Sequence, residues 1–402
     1  MANNVRSVLL IVLIFLLAGV AFVAGYVAND YLEQRVGIAA AANDHSEFST
    51  FWEAWSWVEQ SYLGEIPPMK QVTYGAIRGA LGELGDPYTV FIEPTAREQE
   101  RESLRGNFGG IGAHISRNEA DEVILEPIPD NPAERAGVQS GDVLLAVDGV
   151  PVEDSESVEE IASRIRGEKG TTVVLTVVHP GEANSVEIEV TRGDILIPSV
   201  SYEVLPDHPT IGYIQLSRFS GESSSEVAEA LDSLRQSGAQ SLILDLRHNG
   251  GGLLDAAVDV ADHFLDGGLI MSQKSKGEGE QSYRANPGGV AVDIPLVVLV
   301  DGGTASSSEI LAGALQDHER AMLVGSKTFG KGSVQLVYDL SDGSSVHITS
   351  SRWLTPDGHE IDQQGLQPDI PVEVSQEAID DGQDVALDRA IEYLRNGIAD
   401  GQ

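Results

Sequence analysis

Residues 295–317 constrain this chain more than any other stretch. They read Pro295-Leu-Val-Val-Leu-Val-Asp301, then Gly302-Gly303-Thr-Ala, then Ser306-Ser-Ser-Glu309-Ile-Leu-Ala-Gly-Ala-Leu315-Gln-Asp317. An unbroken run of leucyl and β-branched residues predicts a strand covered on both faces. The glycine pair permits a tight reversal. Ser306 with Glu309 three positions on is a capping-box pattern, so a helix is expected to start at or beside Ser306. Two readings follow. In the plain one the Ser306 hydroxyl caps the helix. In the sharper one a serine just past a strand, at a helix N-terminus, is a nucleophile. The next backbone N–H groups and the helix dipole would then favour a developing oxyanion. The second reading requires a base elsewhere in the chain.

The remaining composition narrows the classes. A chain of 402 residues with 42% hydrophobic content and 43 glycines suits a turn-rich α/β protein of two or three domains. Cysteine is absent, which removes disulfides, thiolate zinc sites and cysteine nucleophiles together. A net charge of −38 argues against nucleic acid and against basic adhesion to anionic lipid. Residues 7–27 carry no formal charge, enough for a spanning helix of roughly 20 residues. Arg6 precedes that run and Asp30 and Glu33 follow it, which predicts a membrane anchor with the bulk of the chain outside the cytoplasm. A cleaved signal segment is the competing reading, because Ala39-Ala40-Ala41 resembles a cleavage site.

Beyond the anchor, residues 40–46 read as a short linker. Phe51, Trp55, Val58 and Tyr62 recur at helical spacing and are expected to form a core stripe. Pro67-Pro68 should break that helix, with a second helix over 72–84 and an extended piece at 88–92. From 106 to 192 the texture changes to short strands and glycine turns. Phe108-Gly-Gly-Ile-Gly112, Asn131-Pro-Ala-Glu-Arg-Ala-Gly137 and Gly141-Asp-Val-Leu-Leu-Ala-Val-Asp-Gly149 resemble a PDZ domain. That resemblance implies that Gly109, Gly110, Ile111 and Gly112 present backbone N–H groups to a peptide's terminal carboxylate while the peptide adds a strand. A second body follows, with strands expected at 211–216 and 241–246 and helices over 223–236 and 253–264. Arg247-His-Asn-Gly250-Gly251-Gly252 lies between a strand and a helix, where backbone N–H groups can face an anion. Residues 273–291 read as a charged hairpin or loop, and 345–350 should pair with 333–338.

For the base, Gly325-Ser-Lys-Thr-Phe-Gly330-Lys331-Gly332 nearly spells a P-loop. It lacks the hydroxyl after the lysine, and a strand rather than a helix is expected to follow. Lys331 fits better as a partner for Ser306, since a desolvated lysine can accept a hydroxyl proton, although a lysine in a Gly-Lys-Gly turn taken alone reads as an exposed surface residue. On a strand Lys331, Ser333 and Gln335 would share a face, with Gln335 orienting the lysine.

Several motifs in order then resemble the carboxyl-terminal processing peptidases, or tail-specific proteases. They are Gly75-Ala-Ile-Arg-Gly-Ala-Leu, Asp86-Pro-Tyr-Thr-Val-Phe, Asp245-Leu-Arg-His-Asn-Gly-Gly-Gly252, the Ser306 stretch, Thr328-Phe-Gly-Lys-Gly-Ser-Val-Gln335 and Arg352-Trp-Leu-Thr-Pro-Asp-Gly358. The resemblance implies Ser306 as nucleophile, Lys331 as general base and Gln335 as its support. It also implies an oxyanion hole from the Ser307 N–H with Gly252, or else Gly251. The implied fold is α/β: a ClpP/crotonase-like serine protease core with an inserted PDZ domain, a helical N-terminal lead-in and an N-terminal transmembrane helix. Boundaries are expected at 1–28 for the anchor or signal, 29–105 for the lead-in packed on the catalytic body and 106–192 for the PDZ domain. The protease body then covers 193–376, and a terminal helix and tail 377–402. The implied activity is a membrane-anchored, extracytoplasmic serine endopeptidase acting on unfolded or C-terminally tagged proteins through their tails. No metal or organic cofactor is implied, and a homo-oligomer or an accessory regulator is compatible with it. The alternative is a PDZ scaffold with a degenerate protease domain.

Overall fold

The computed structural model describes residues 48–277, 279–373, 378 and 382–400. The apolar run at 7–27 and the linker at 40–46 lie outside the described residues. Among the described residues no helix is long and apolar enough to cross a membrane. The chain forms two compact units, Met1–Gly75 and Ala76–Gln402.

In the first unit, α1 (Ser49–Ser61) ends six residues before Pro67, so the prolines are not what stops it. They serve the next helix, α2 (Met69–Gly82), whose Gln71 and Val72 N–H groups donate to the Pro68 carbonyl. The stripe expected as core is not one. Phe51 and Trp55 stack with centroids 6.4 Å apart, but no residue of α1 is buried, and Val58 and Tyr62 are exposed.

The second unit takes in the C-terminal part of α2 and continues with β1 (Val90–Ile92) and α3 (Pro94–Arg105), which Gly106 ends in a left-handed cap. A short antiparallel pair, β2 (Asn107–Gly110) with β9 (Gly193–Leu196), brackets the next module. Inside it run β3 (Ala113–Arg117), β4 (Val123–Pro127), α4 (Pro132–Ala136), β5 (Asp142–Val147) and β6 (Val150–Pro151). They are followed by α5 (Val158–Ile165), β7 (Thr172–Val178) and β8 (Val186–Thr191). The strand order is β3-β4-β5-β7-β8, all antiparallel, with β6 on β5, so β3 is an edge strand. Val173, Leu175 and Val177 alternate inward along β7 and meet Ile161 and Ile165 of α5 in one buried cluster.

The third layer set is built from β10 (Val200–Val204), β11 (Ile211–Leu216), α6 (Ser223–Gln236), β12 (Ser241–Asp245) and α7 (Leu254–Phe264). The hairpin β13 (Gly268–Ser275) and β14 (Gly279–Ala285) carries the charged stretch, and β15 (Leu296–Val300) and α8 (Ser307–Asp317) follow. The chain then runs through β16 (Met322–Gly325), β17 (Ser333–Asp339), β18 (Ser345–Leu354), β19 (Ile370–Pro371) and α9 (Val385–Asp400). Strands β10-β11-β12-β15-β16-β19 form a sheet that is parallel except for the β10–β11 pair. All of β15 is buried, as its run of apolar residues predicts. Leu296, Val298 and Val300 face a core shared with α6, α7 and α8, while Val297 and Leu299 face Ala386, Ala390 and Leu394 of α9. A second sheet joins β1, β18, β13 and β14, with β17 on β18 in the expected pairing.

Candidate active site

The reversal after β15 uses its glycines differently from the expectation. Neither Gly302 nor Gly303 has a positive φ; instead a Cβ on Gly303 would lie 2.9 Å from the His248 Cα, so close approach demands glycine there. The strained residue is Ser306 itself, at φ 57 and ψ −119. A non-glycine residue in such a conformation costs about 1–3 kcal/mol and persists where surrounding contacts enforce it.

Those contacts centre on Glu309. Ser306 and Glu309 keep the reciprocal arrangement of a capping box, but only one half is a full hydrogen bond: the Ser306 N–H donates to the Glu309 carboxylate at 2.9 Å. The Glu309 N–H goes to the Ser306 carbonyl at 2.8 Å, and the Ser306 hydroxyl makes no cap hydrogen bond. As a donor the hydroxyl has no partner among the described residues, and the residue is half-buried. The fully buried Glu309 carboxylate also accepts the Thr328 hydroxyl at 2.6 Å and the N–H groups of Gly330 at 2.7 Å and Lys331 at 2.9 Å. One carboxylate thus ties the backbone of Ser306 to that of Lys331. The three-residue spacing revealed only the capping role; the rest of the role had no local signal.

Next to Ser306 lies the triple-glycine turn. A Cβ on Gly251, whose φ is 102, would sit 2.9 Å from the Ser306 Cβ. Asn249, fully buried, clamps this turn: its carbonyl accepts the Ala305 N–H at 3.0 Å and the Ser308 hydroxyl at 2.8 Å. Its side-chain oxygen accepts the Gly251 N–H at 2.9 Å, so that donor is spent. The N–H groups of Gly252 and Ser307 have no acceptor among the described residues, and the Ser307 hydroxyl donates to the Gly252 carbonyl at 3.0 Å. Of the two glycines named from sequence, Gly252 therefore keeps a free donor and Gly251 does not.

Lys331 is half-buried, and the Trp353 indole donates to its carbonyl at 3.2 Å. Burial holds its ammonium below the ordinary lysine range, while Glu100 and Glu309 pull the other way. Its Nζ lies over the Tyr88 ring, 5.4 Å from the centroid, and among the described residues makes no hydrogen bond to the Ser306 hydroxyl. Gln335 does not meet Lys331 either. Its amide donates to the Ser333 hydroxyl at 2.8 Å and to Thr349 at 3.5 Å. Of the face expected for 331, 333 and 335, Ser333 and Gln335 keep their places beside each other, whereas Lys331 precedes β17 and falls outside the alternation. The P-loop alternative is also closed, since a strand follows Lys331 and its N–H is committed to Glu309.

A second site lies in the antiparallel module. Gly109 is close-packed, with a Cβ there falling 2.0 Å from the Gly167 carbonyl, and Gly112 has φ 70. The Ile111 side chain is buried in that module's core, and its carbonyl accepts the Ala133 N–H at 2.7 Å. The N–H groups of Ile111 and Gly112 have no acceptor among the described residues, and Gly110 ends β2 just before them. They stand at the start of β3, whose outer edge is unpaired among the described residues. A carboxylate at the two donors and a strand along that edge are chemically matched to this arrangement.

Residues 210–372 match peptidase family S41, and residues 123–178 match the PDZ domain. A carboxyl-terminal-processing protease of Synechocystis sp. is 39% identical over 371 residues, covering 86% of this chain and 86% of its own. One of Picosynechococcus sp. is 41% identical over 320 residues, covering 78% of this chain and 76% of its own. Among solved structures, a photosystem II D1 C-terminal processing protease is 34% identical, covers 82% of this chain and 93% of its own, and superposes with a TM-score of 0.46.

Proposed function

The chain belongs to peptidase family S41, the carboxyl-terminal-processing serine proteases, and on that premise we propose that it cuts unfolded or C-terminally tagged proteins with a Ser306–Lys331 dyad. The observation that carries this reading is the Glu309 carboxylate, which holds the backbone of both residues while the Ser306 hydroxyl stays free. In the reaction the Ser306 Oγ attacks the scissile carbonyl carbon and its proton passes to the neutral Lys331 amine. The oxyanion takes hydrogen bonds from the Gly252 and Ser307 N–H groups. Lys331 then returns the proton to the departing amine, and water releases the acyl group from Ser306 by the same steps reversed. Gln335 would support the lysine after leaving its present partners. The body is read as a ClpP/crotonase-like core. The Ile111 and Gly112 N–H groups would hold a substrate's terminal carboxylate, with Gly109 and Gly110 shaping the loop. The apolar run at 7–27 would anchor the protein with its catalytic part outside the cytoplasm.

A serine-directed fluorophosphonate tests the dyad. Peptide mapping should place the label on Ser306, and Lys331→Ala and Lys331→Arg should both block labelling and proteolysis, since a guanidinium keeps its proton. Label on Ser307 or Ser308, or full labelling of Lys331→Ala, would sink the assignment.

A further inference from the structure

Tyr88 has no part in the proton transfer above, yet its ring faces the base. The Lys331 Nζ is 5.4 Å from the ring centroid, within the range where an aromatic face attracts an ammonium. The ring is held in a built turn. Asp86 accepts the Tyr88 N–H at 3.1 Å and the Thr89 hydroxyl at 2.6 Å, and the Thr89 oxygen accepts the Thr349 N–H at 3.1 Å. The strand that follows, β1, pairs with β18, and β18 pairs with β17, into which Lys331 leads. Turn and base are thus fixed to the same hairpin.

Other charges surround the pair. Glu309 of α8 and Glu100 of α3 act on the lysine, and Asp86, Glu309 and Asp362 act on Tyr88. Glu100 is engaged by Arg97 at 2.7 Å and lies 3.3 Å from His347. Asp362 lies 3.5 Å from Arg352, and the Glu309 carboxylate holds four hydrogen bonds. Each carboxylate is already committed elsewhere. Among the described residues Lys331 is the cation over the Tyr88 ring.

Resting on the Ser306–Lys331 reading, we propose that Tyr88 is a positioning residue for Lys331, its ring holding the side chain as an ammonium beside the nucleophile and setting the pH at which it becomes a base. An aromatic face attracts the cation and not the neutral amine. Deprotonation loosens the contact and frees the amine to turn toward Ser306.

The test follows the lysine directly. Full-length Ser306→Ala protein carrying [13Cε]lysine is titrated by NMR, with Lys331→Ala assigning the resonance, and kcat/KM against pH is measured with Ser306 intact. Tyr88→Leu should lower both the lysine midpoint and the acid limb by about 0.5–1.5 pH units. That shift means about 3- to 30-fold more neutral lysine at a given acidic pH. Tyr88→Phe should restore the wild-type values. If the leucine variant does not fold, successively fluorinated phenylalanines at position 88 keep the shape and drain the ring face, and each fluorine should lower the midpoint further. An unmoved midpoint in Tyr88→Leu or across the fluorinated series, or Tyr88→Phe shifting as far as Tyr88→Leu, overturns the assignment. Full activity in Lys331→Ala would instead bring down the dyad reading beneath it.

Discussion

At Glu309 four donors converge on one solvent-free carboxylate: the N–H groups of Ser306, Gly330 and Lys331 and the hydroxyl of Thr328. Glu309→Gln keeps the volume but replaces one acceptor oxygen with a donor, so at least one buried N–H loses its partner. Stability should fall by about 2–4 kcal/mol. Because Ser306 and Lys331 are held through this group, kcat should fall by about a hundredfold, with a smaller change in KM. Denaturant unfolding and initial rates check both, and wild-type kcat in a destabilised protein would deny Glu309 its positioning role. Ser306 and Glu309 were legible in the sequence because three-residue spacing is a local rule. The contacts from Glu309 to residues 328–331 come from a loop about twenty residues away, and no spacing rule reports them. Gln335 shows the opposite failure: alternation was carried back through Lys331, but Lys331 precedes β17, and the Gln335 amide is spent on Ser333 and Thr349.

Among the elements, α9 is fastened at its start by an ion network that the apolar pattern did not reveal. Asp245, at the end of β12 and 1% exposed, accepts the Tyr213 hydroxyl at 2.6 Å and the Arg247 guanidinium at 2.6 Å. Arg247 reaches on to Asp384 at 2.7 and 2.9 Å, and Asp384 accepts the Leu387 N–H at 3.0 Å. Removing Arg247 strands a buried carboxylate, so Arg247→Ala should cost about 3–5 kcal/mol. Asp384 is 40% exposed at its side chain, so Asp384→Asn should cost about 1 kcal/mol or less. Burial alone would raise the Asp384 carboxyl, but its hydrogen bonds from Arg247 and Leu387 outweigh that and hold it below the usual range. A depressed folded-state value means its contribution is complete above the unfolded value of about 3.9 and is lost as pH falls through the folded one. Unfolding measured at pH 7 and near pH 3 should show that loss in the wild type and its absence in Asp384→Asn. Equal costs for the two substitutions would contradict the network. The β15 strand and the α8 helix were legible because burial on both faces and capping leave strong local patterns. The α1 stripe misled because periodicity marks a face without saying that anything covers it.

At the scale of the whole molecule, the S41 body leaves the Gly252 and Ser307 N–H groups, and the PDZ domain the Ile111 and Gly112 N–H groups, without an acceptor among the described residues. On the proposed mechanism the first would hold a transient oxyanion and the second a permanent carboxylate at the substrate's end, so that binding and cleavage take place at different points of one chain. Ordered motifs made this organisation readable from sequence, whereas the state of each N–H depends on folded contacts and had to be seen. The most direct measurement compares one long unfolded protein with a free C-terminal acid against the same protein amidated, cut by the wild type with Ser306→Ala as the blank. A charge-assisted contact at the PDZ loop contributes about 1.5–3 kcal/mol, so kcat/KM for the amide should be about tenfold to a hundredfold lower. Equal kcat/KM for acid and amide would contradict the claim that this protease selects its substrates by their tails.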